Sequence, residues 1–340
     1  IVSEPTSGTA SLSGNTVTYT PNTDYTGTDS FTFKASDSGD DSEIKTVFLK
    51  IINGYSSSAM KTAEINGEAT YDQSGYSISF SEDATIMAIG ARYADGNYGF
   101  NSGHVRVYQF SDDSWSQLGS DIDGEAANDY SGRSVSLSFD GMTLAIGSSD
   151  NDGYRTNSGH VRVYQFSNDS WSQLGADIDG KFNNDRLGES VSLSSDGNTV
   201  AIGAYGNPSN GNASGQVKVY NYNGTWTQLG ADINGETASD QSGSSVSLSS
   251  DGTTLAIAAP YNDGNGTNSG HVRIYNYNGN AWSQLGSDIE GEAANDYSGS
   301  SVSLSSDGKI VAIGAILNDG NGNDSGQVRV YNYNGTAWSQ

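Results

Sequence analysis

Short runs of alternating apolar and small polar residues recur along the chain from about residue 65 onward. In SVSLS (134–138) branched residues alternate with serine, and in TLAIG (143–147) they alternate with threonine, alanine and glycine. A period of two residues is typical of β-strands, and no segment shows the 3.6-residue period of an amphipathic helix. The pattern therefore predicts an all-β protein.

The strand pattern belongs to an internal repeat. The glycine that opens the first strand of each copy recurs at Gly75, Gly132, Gly188, Gly243 and Gly299, with successive spacings of 57, 56, 55 and 56 residues. All five tryptophans share one slot of this repeat: Trp115, Trp171, Trp226, Trp282 and Trp338. In the fourth copy the strand-like runs are SSVSLS (244–249), TTLAIAA (253–259), HVRIYNY (271–277) and AWSQLG (281–286). Turn residues separate these runs, so each copy is predicted to be a four-stranded antiparallel meander.

Each meander has one face of large branched residues and one face of serine, alanine and glycine. Such a sheet needs a cover on both faces, and laying the large face of one copy on the small face of the next provides it. Radial repetition of this packing is a β-propeller, with the tryptophans as wedges near the outer strand. We predict a propeller over residues 65–340, with blades at about 65–121, 122–177, 178–232, 233–288 and 289–340. Five blades could close as a ring, or they could be part of a ring of six or seven.

The repeat also resembles a known family. The segment DYSGRSVSLSFDGMTLAIGSSDNDGYRTNSGHVRVY (129–164) is similar to the FG-GAP-type repeats of integrin α-subunit propellers, and the resemblance covers roughly residues 65–340. It implies a propeller of a surface protein. Integrin-type blades often bind calcium through a D-x-D-x-D-G loop between the first two strands, but here that place holds SSDG or SFDG. One carboxylate cannot supply the six to eight oxygens of a calcium site, so this role is not carried over.

The first 52 residues contain no copy of the repeat. The run TVTYTPNTDYTGTDSFTFKASD (16–37) resembles the second half of bacterial cadherin-like or Ig-like tandem domains. The resemblance implies a partial Ig-like β-sandwich at 1–52, followed by a linker at 53–64. Residues Met60 to Ile65 are a candidate outer strand for the last blade. We expect the chain to be a piece of a larger protein, because both ends fall inside such units.

The composition of the chain excludes several kinds of partner and covalent link. The chain has 40 acidic and 15 basic residues, a net charge of −25, and no cysteine. This charge disfavours nucleic acid and anionic membrane surfaces as partners. No apolar run is long enough to insert into a membrane, and disulfides are excluded.

The loop after the second strand is the strongest candidate for cation binding. It reads SDNDGYRTNSG (149–159), YNDGNGTNSG (261–270) and LNDGNGNDSG (317–326). Alternate oxygen-bearing residues are typical of calcium loops, but the glycine at the sixth place and a distal glutamate are missing. Because any long turn favours the same residues, both an ordinary loop and a Ca²⁺ site stay open. The candidate calcium ligands are Asp150, Asp152, Asp263, Asn265, Asp319, Asn321, Asn323 and Asp324.

Three further sets of polar residues recur at fixed positions. An E-x-x-x-D motif precedes the first strand in four copies, and we interpret it as turn capping or hydrogen bonding between blades rather than as a catalytic pair. The histidines His104, His160 and His271 share a slot that holds glutamine in the other two copies. Since a metal ligand is not interchangeable with glutamine, we interpret them as polar residues at a strand edge. The basic residue two positions later is expected to be a buried or half-buried cation beside carboxylates of the neighbouring blade.

These features predict a non-catalytic, extracellular binding or adhesion module of a larger cell-surface or secreted protein, with a protein or glycan partner. The alternatives are a structural stalk or filament subunit, assembled through the parent protein, and a polysaccharide-acting hydrolase. No cofactor is required by the sequence apart from the candidate Ca²⁺.

Overall fold

The computed structural model describes residues 1–13, 16–23, 25, 27–34, 45–51 and 64–340 of the chain. It divides into two units, Ile1–Thr62 and Ala63–Gln340. The described residues form strands and turns with no helix, so the all-β prediction is confirmed. None of them belongs to a helix long and apolar enough to cross a membrane. The predicted linker and the candidate outer strand at Met60 to Ile65 lie almost entirely outside the described residues.

The first unit contains two antiparallel strand pairs. One pair joins β1 (Gly8–Ser13) to β2 (Thr16–Pro21), and the other joins β3 (Gly27–Phe33) to β4 (Lys45–Ile51). The alternation in DSFTF places Asp29 and Phe31 on the buried face of β3.

The buried carboxylate of Asp29 links several segments of this unit through hydrogen bonds. Its two carboxylate oxygens accept hydrogen bonds from the backbone N–H groups of Thr6, Ser7 and Ser30, each at 2.9 Å, and from the Tyr19 hydroxyl at 2.9 Å. Burial by itself would raise the pKa of Asp29, but these donors favour the charged form and hold its pKa well below the usual range. Burial and the bond to Asp29 also raise the pKa of Tyr19 to about 12.

We predict that Asp29→Asn loosens the N-terminal segment of this unit, because the amide NH₂ group would face backbone donors. Hydrogen exchange of residues 1–13 in the full chain should become faster, while the exposed control Glu4→Gln should leave it unchanged. In the unmodified protein the pKa of Asp29 is lower when folded than when unfolded, so the unfolded chain takes up the proton first as pH falls. The stabilisation is therefore complete above a pH of about 4 and declines below it. Unaltered exchange in the asparagine variant would contradict this role.

The second unit contains five successive sheets, which we call blades 1 to 5. Each is an antiparallel meander of four strands, as predicted. The strands of blades 1 and 2 are β5 (Ser77–Phe80), β6 (Ile86–Ala91), β7 (His104–Ser111), β8 (Ser114–Gln117), β9 (Ile122–Asp123), β10 (Ser134–Leu137), β11 (Thr143–Ser148), β12 (His160–Ser167), β13 (Ser170–Gln173) and β14 (Ile178–Asp179). Those of blade 3 are β15 (Leu187–Leu193), β16 (Thr199–Ala204), β17 (Gln216–Tyr222), β18 (Trp226–Gln228) and β19 (Ile233–Asn234). Blades 4 and 5 contain β20 (Ser245–Leu248), β21 (Thr254–Ala259), β22 (His271–Tyr277), β23 (Trp282–Gln284), β24 (Ile289–Glu290), β25 (Ser298–Leu304), β26 (Ile310–Ala315), β27 (Gln327–Tyr333) and β28 (Trp338–Ser339).

A fifth, two-residue strand completes blades 1 to 4. The strands β9, β14, β19 and β24 each pair with the start of the third strand of the same blade. The chain then crosses to the first strand of the next blade. This short pairing brings the segment after the fourth strand beside the residue that begins the third strand.

The blades pack as the sequence predicts, with a large face on a small face. Between blades 1 and 2, Val135 and Leu137 form one buried cluster with Ala88 and Val105. Serine adds directional bonds, since the Ser79 hydroxyl accepts a hydrogen bond from the Leu137 N–H at 2.9 Å. Equivalent serine bonds join each later pair of blades. The propeller fold class is confirmed.

The tryptophans connect neighbouring blades near the outer strand. The indole N–H of Trp226 donates to the Leu174 carbonyl of blade 2 at 2.6 Å, and its ring lies 5.2 Å from that of Tyr222. Gly175 has a φ of +80°, and a Cβ there would lie 2.8 Å from the Trp226 ring. The LG that follows each tryptophan strand therefore provides both the carbonyl acceptor and the space for the next tryptophan. The same bond forms at Trp171, Trp282 and Trp338.

Candidate metal centres

Blades 1, 2 and 4 each bring one glutamate, one histidine and one aspartate together. The histidine begins the third strand, the aspartate directly precedes the two-residue strand, and the glutamate lies on the segment that leads into the blade. In each group one ligand atom per residue lies within 4.8 Å of the others. The groups are Glu68, His104 and Asp121 in blade 1; Glu125, His160 and Asp177 in blade 2; and Glu236, His271 and Asp288 in blade 4.

Backbone pairing positions these side chains in blade 2. Asp179 of β14 pairs with His160, which brings the preceding Asp177 beside the imidazole. Arg162 donates from Nη2 to the Asp123 carbonyl at 2.8 Å, and its Nη1 forms an ion pair with Glu125 Oε1 at 3.4 Å. The arginine therefore holds the incoming segment over β12. It is buried, but the carboxylate it faces, Glu125, lies on the segment that enters the same blade and not in a neighbouring blade as expected.

The distances from the imidazole are too long for hydrogen bonds and suit ligands of a shared ion. Nδ1 of His271 lies 3.9 Å from Glu236 Oε2 and 3.8 Å from Asp288 Oδ2. In blade 2, His160 Nδ1 lies 3.8 Å from Glu125 Oε2 and 4.0 Å from Asp177 Oδ2. Metal–ligand bonds of about 2.1 Å place two ligands roughly 3.4 Å apart at a tetrahedral angle and about 4.2 Å apart on opposite sides. The observed separations fall in this interval.

A buried nitrogen without a partner points into the cluster. His271 is 1% exposed, and its Nδ1 has no hydrogen-bond partner among the described residues. In blade 1, Nε2 of His104 is also buried and has no hydrogen-bond partner among the described residues. Leaving a buried polar atom unpaired costs about 1–3 kcal/mol, so such an atom calls for a function or a ligand.

His160 and His271 are neutral at physiological pH. Burial, together with the neighbouring Arg162, lowers the pKa of His160 to about 4, against the opposing effect of Asp177. Burial and Arg273 lower the pKa of His271 to about 4 in the same way. Neutral imidazole is the form that ligates metals.

Negative charge exceeds positive charge around each cluster. Burial raises the pKa of Glu125, and the nearby Asp177, Asp129 and Asp179 raise it further while Arg162 opposes them. Burial and Asp288 raise the pKa of Glu290 beside the blade 4 cluster. A divalent cation would relieve this crowding of carboxylates. The mixed nitrogen and oxygen donors suit first-row transition metals such as Zn²⁺ better than Ca²⁺, which prefers oxygen ligands alone.

Blade 3 carries its own cation at the equivalent place. Lys181 and Gln216 replace the glutamate and histidine, and the ammonium group of Lys218 donates to both oxygens of Asp232, each at 3.0 Å. Lys218 is 1% exposed. Burial lowers the pKa of Lys218 while Asp232 opposes this effect. An amino group of the protein thus neutralises the carboxylate that lies beside histidine in blades 1, 2 and 4.

The loops predicted to bind calcium lie outside these clusters. The carboxylates of Asp152, Asp263 and Asp319 each accept the backbone N–H of the residue five positions later, at 2.6 to 2.8 Å, which closes the loop. Asp150 is paired with Arg186, and Asn265 donates to two backbone carbonyls. Asn321 and Asp324 contribute backbone N–H groups to the same loop, and Asn323 is exposed. Calcium binding by these residues stays a prediction.

The two acidic residues of the recurring E-x-x-x-D motif have different roles. Asp129 caps a turn by accepting the Ala126 N–H at 2.9 Å and also accepts the Asn151 side-chain amide at 2.9 Å. Glu125 instead faces Arg162 and His160. The histidines begin the third strand and are buried, so they are not polar residues at an exposed edge. The sequence did contain one signal for these clusters, which the sequence analysis missed. In blade 3 the glutamate and the histidine are replaced together, the glutamate by lysine and the histidine by glutamine.

The blade 1 cluster is accessible from a cavity of about 630 Å³. Glu68, His104 and Asp121 line it together with Tyr71 and Phe100, whose side chains are exposed. A small molecule could therefore reach an ion at this site.

Two family models match parts of the chain. Residues 1–50 match the Bacterial Ig domain model, and residues 234–275 and 290–331 match the FG-GAP repeat model. Both predicted resemblances are confirmed. The matched residues run from β19 into β22 and from β24 into β27, so they include the first three strands of blades 4 and 5. No curated protein matches the chain.

Two solved structures were found to be similar to the chain. A periplasmic gluconolactonase of Pseudomonas aeruginosa is similar with a TM-score of 0.51 and 18% identity, over 78% of this chain and 70% of that one. Hydrazine synthase of Kuenenia stuttgartiensis has a TM-score of 0.49 and 15% identity, over 79% of this chain and 66% of that one. At 18% identity the first likeness shows the fold. The prediction of a purely non-catalytic binding or adhesion module is corrected by this finding, because an enzyme has the same fold and the fold therefore does not argue against catalysis.

Proposed function

We propose that this protein binds divalent first-row transition-metal ions, such as Zn²⁺, at Glu–His–Asp sites in blades 1, 2 and 4. The observation that carries the proposal is the environment of His271. Its Nδ1 is buried and has no hydrogen-bond partner in the described part of the chain, and two carboxylate oxygens lie 3.8 and 3.9 Å from it. A neutral imidazole between two carboxylates is a donor set that Zn²⁺ prefers.

The ion would link the segment that enters a blade to the strands of that blade. Glu236 lies on the crossing segment from blade 3, whereas His271 and Asp288 belong to blade 4. The exposed carboxylate of Glu236 can move toward an ion without disturbing the buried imidazole of His271. An ion that binds only the folded chain stabilises it by about 2.7 kcal/mol when present at 100 times its dissociation constant.

The blade 1 site differs because it borders a cavity. An ion held by Glu68, His104 and Asp121 would act as a Lewis acid toward an oxygen of a bound small molecule. The proposed setting is extracellular, since FG-GAP repeats and Ig-like domains are typical of extracellular proteins.

Zinc titration of the metal-free full chain tests this function. We expect binding of three equivalents by calorimetry and a rise in melting temperature with zinc. His271→Gln should remove one equivalent, and because blades 3 and 5 already carry glutamine in this slot, the variant should still fold. The matched control is Gln327→Ala, which alters the same slot of blade 5 and should leave three equivalents.

Calcium serves as the comparison ion in the same experiment. Calcium binding, if observed, should be insensitive to His271→Gln, since the histidine nitrogen contributes little to its affinity. The proposal would be overturned if zinc did not bind, or if glutamine at all three histidine positions left zinc binding intact.

A further inference from the structure

Blades 2 to 5 share a contact between a buried aspartate and an asparagine. In blade 2 the side-chain amide of Asn151, which follows the second strand, donates to the Asp129 carboxylate at 2.9 Å. Asp129 is 3% exposed and also accepts the backbone N–H of Ala126. The equivalent pairs lie at 2.5 to 3.1 Å and are Asn207 with Asp185, Asn262 with Asp240, and Asn318 with Asp296. In these four blades the buried carboxylate therefore has a side-chain donor as well as a backbone donor.

Blade 1 lacks the side-chain donor. Ala94 stands at the position of the asparagine, because its carbonyl accepts the Gly103 N–H at 3.0 Å, as the asparagine carbonyl accepts the corresponding glycine N–H in the other blades. Asp72 is 6% exposed, and among the described residues its carboxylate accepts only the Ala69 N–H, at 2.7 Å. Burying a charged group with few hydrogen bonds is costly, so this carboxylate calls for a further donor. The loss comes from one residue of blade 1 itself and is independent of which blade packs beside it.

The cavity of about 630 Å³ in blade 1 lies at this aspartate, and both Asp72 and Ala94 line it. The loop from residue 94 to residue 103 is one position longer than the equivalent loop from residue 151 to residue 159. Phe100 on this loop replaces the threonine or asparagine of the other copies and also lines the cavity. An asparagine side chain at position 94 would extend into this space, so the alanine leaves room for a ligand beside Asp72.

The cavity is strongly acidic. In the part of the chain that the structure describes, no lysine or arginine lines it, whereas five carboxylates do: Glu68, Asp72, Asp95, Asp121 and Asp123. Arg106 lies 3.4 Å from Glu68 and neutralises one of them. Asp95, Asp121 and Asp123 accept hydrogen bonds from neutral backbone or side-chain N–H groups at 2.6 to 2.8 Å, so their charges remain. A cleft lined by one sign of charge attracts ligands of the opposite sign, and a cationic ligand is therefore favoured.

We infer that this cavity binds a linear aliphatic amine with two or more ammonium groups. One ammonium group donates to Asp72 in place of the missing asparagine amide, a second donates to another carboxylate of the lining, and the alkyl chain lies against the Phe100 ring. Blade 3 shows that the fold accommodates such a contact, since the buried ammonium group of Lys218 donates to both oxygens of Asp232 at 3.0 Å. The inference goes beyond the proposed zinc sites, because Asp72 is not one of the proposed metal ligands.

Calorimetric titration of the zinc-free full chain with putrescine, a linear diamine, tests the inference. We expect one equivalent to bind, and binding should weaken as salt is added, because salt screens the attraction to the carboxylates. The decisive variant is Ala94→Asn, which introduces the asparagine of the other four blades and should therefore fold, as circular dichroism can verify. Its amide would occupy Asp72, so the affinity for putrescine should fall by about tenfold or more.

Two controls accompany the titration. Ala293→Asn makes the same change at an exposed position of blade 5 and should leave the affinity unchanged. The diol with the same carbon chain as putrescine keeps two hydrogen-bond donors but has no charge, and it should not bind measurably. The inference would be overturned if putrescine did not bind, if Ala94→Asn bound it as tightly as the wild-type chain, or if the diol bound equally well. Zinc is absent throughout and Asp72 is not a proposed metal ligand, so failure of this inference and failure of the metal sites are distinguishable.

Discussion

Replacing Val217 with aspartate should prevent the propeller from folding, whereas the same change at Val328 should leave it folded. Val217 is fully buried between blades 3 and 4, in a cluster with Val246 and Leu255. A carboxylate there would have no partner, and its burial would cost about 5 kcal/mol or more, which is comparable with the total stability of many domains. Val328 occupies the same slot of blade 5 but faces solvent. Circular dichroism and soluble yield provide the measurement.

Alanine variants at the same two positions give a milder version of this comparison. Val217→Ala should lower the stability by about 2 kcal/mol, because it removes methyl groups from a closely packed interface. Val328→Ala should change it by less than about 0.5 kcal/mol at a protein concentration where the chain is monomeric. Equal effects at both positions would contradict the difference in burial between Val217 and Val328.

Blade 3 should gain a metal site when its residues are changed to those of blade 2. In the triple variant Lys181→Glu, Gln216→His and Lys218→Arg, the ammonium group leaves Asp232 and an imidazole takes the adjacent slot. The arginine would occupy the place from which Arg162 holds the glutamate in blade 2. Zinc stoichiometry measured by calorimetry should therefore rise from three equivalents to four.

The single variant Lys181→Glu is the control for this gain. It adds the glutamate but keeps Lys218, whose ammonium group still neutralises Asp232, so three equivalents are expected. If the triple variant folds and binds three equivalents, then residue type at these positions does not determine metal binding. Such a result would contradict the role assigned to Lys218.

Much of the fold was predictable because it depends on local patterns that recur. The alternation in SVSLS and TLAIG determines which side chains share a face, and this is a property of the extended chain itself. Because Trp171 and Trp226 occupy the same position of the repeat, the sequence predicts that they make the same contact. The structure shows that each tryptophan contacts the preceding blade. The short strands such as β14 were not predicted, since two residues are too few to show a period.

The candidate metal centres could not be predicted in the same way. Glu125 and His160 are 35 residues apart, and Asp177 follows 17 residues later, so no short motif contains them. The interpretation of the histidines also treated all five copies as equivalent. In the structure the blades differ at this position. Histidine lies beside carboxylates in blade 4, whereas in blade 3 a lysine neutralises the carboxylate.

The amino-acid sequence by itself determined the all-β character, the five-fold repeat and the way one blade covers the next. These features follow from the alternation of side chains along each strand and from the repeat, since each blade must pack against a neighbour of nearly the same sequence. Only the tertiary structure decided that Glu236, His271 and Asp288 meet around Nδ1 of His271. This is a consequence of which strands become neighbours in space, and the pairing of distant segments is set by packing across the whole sheet rather than by any local stretch of the chain.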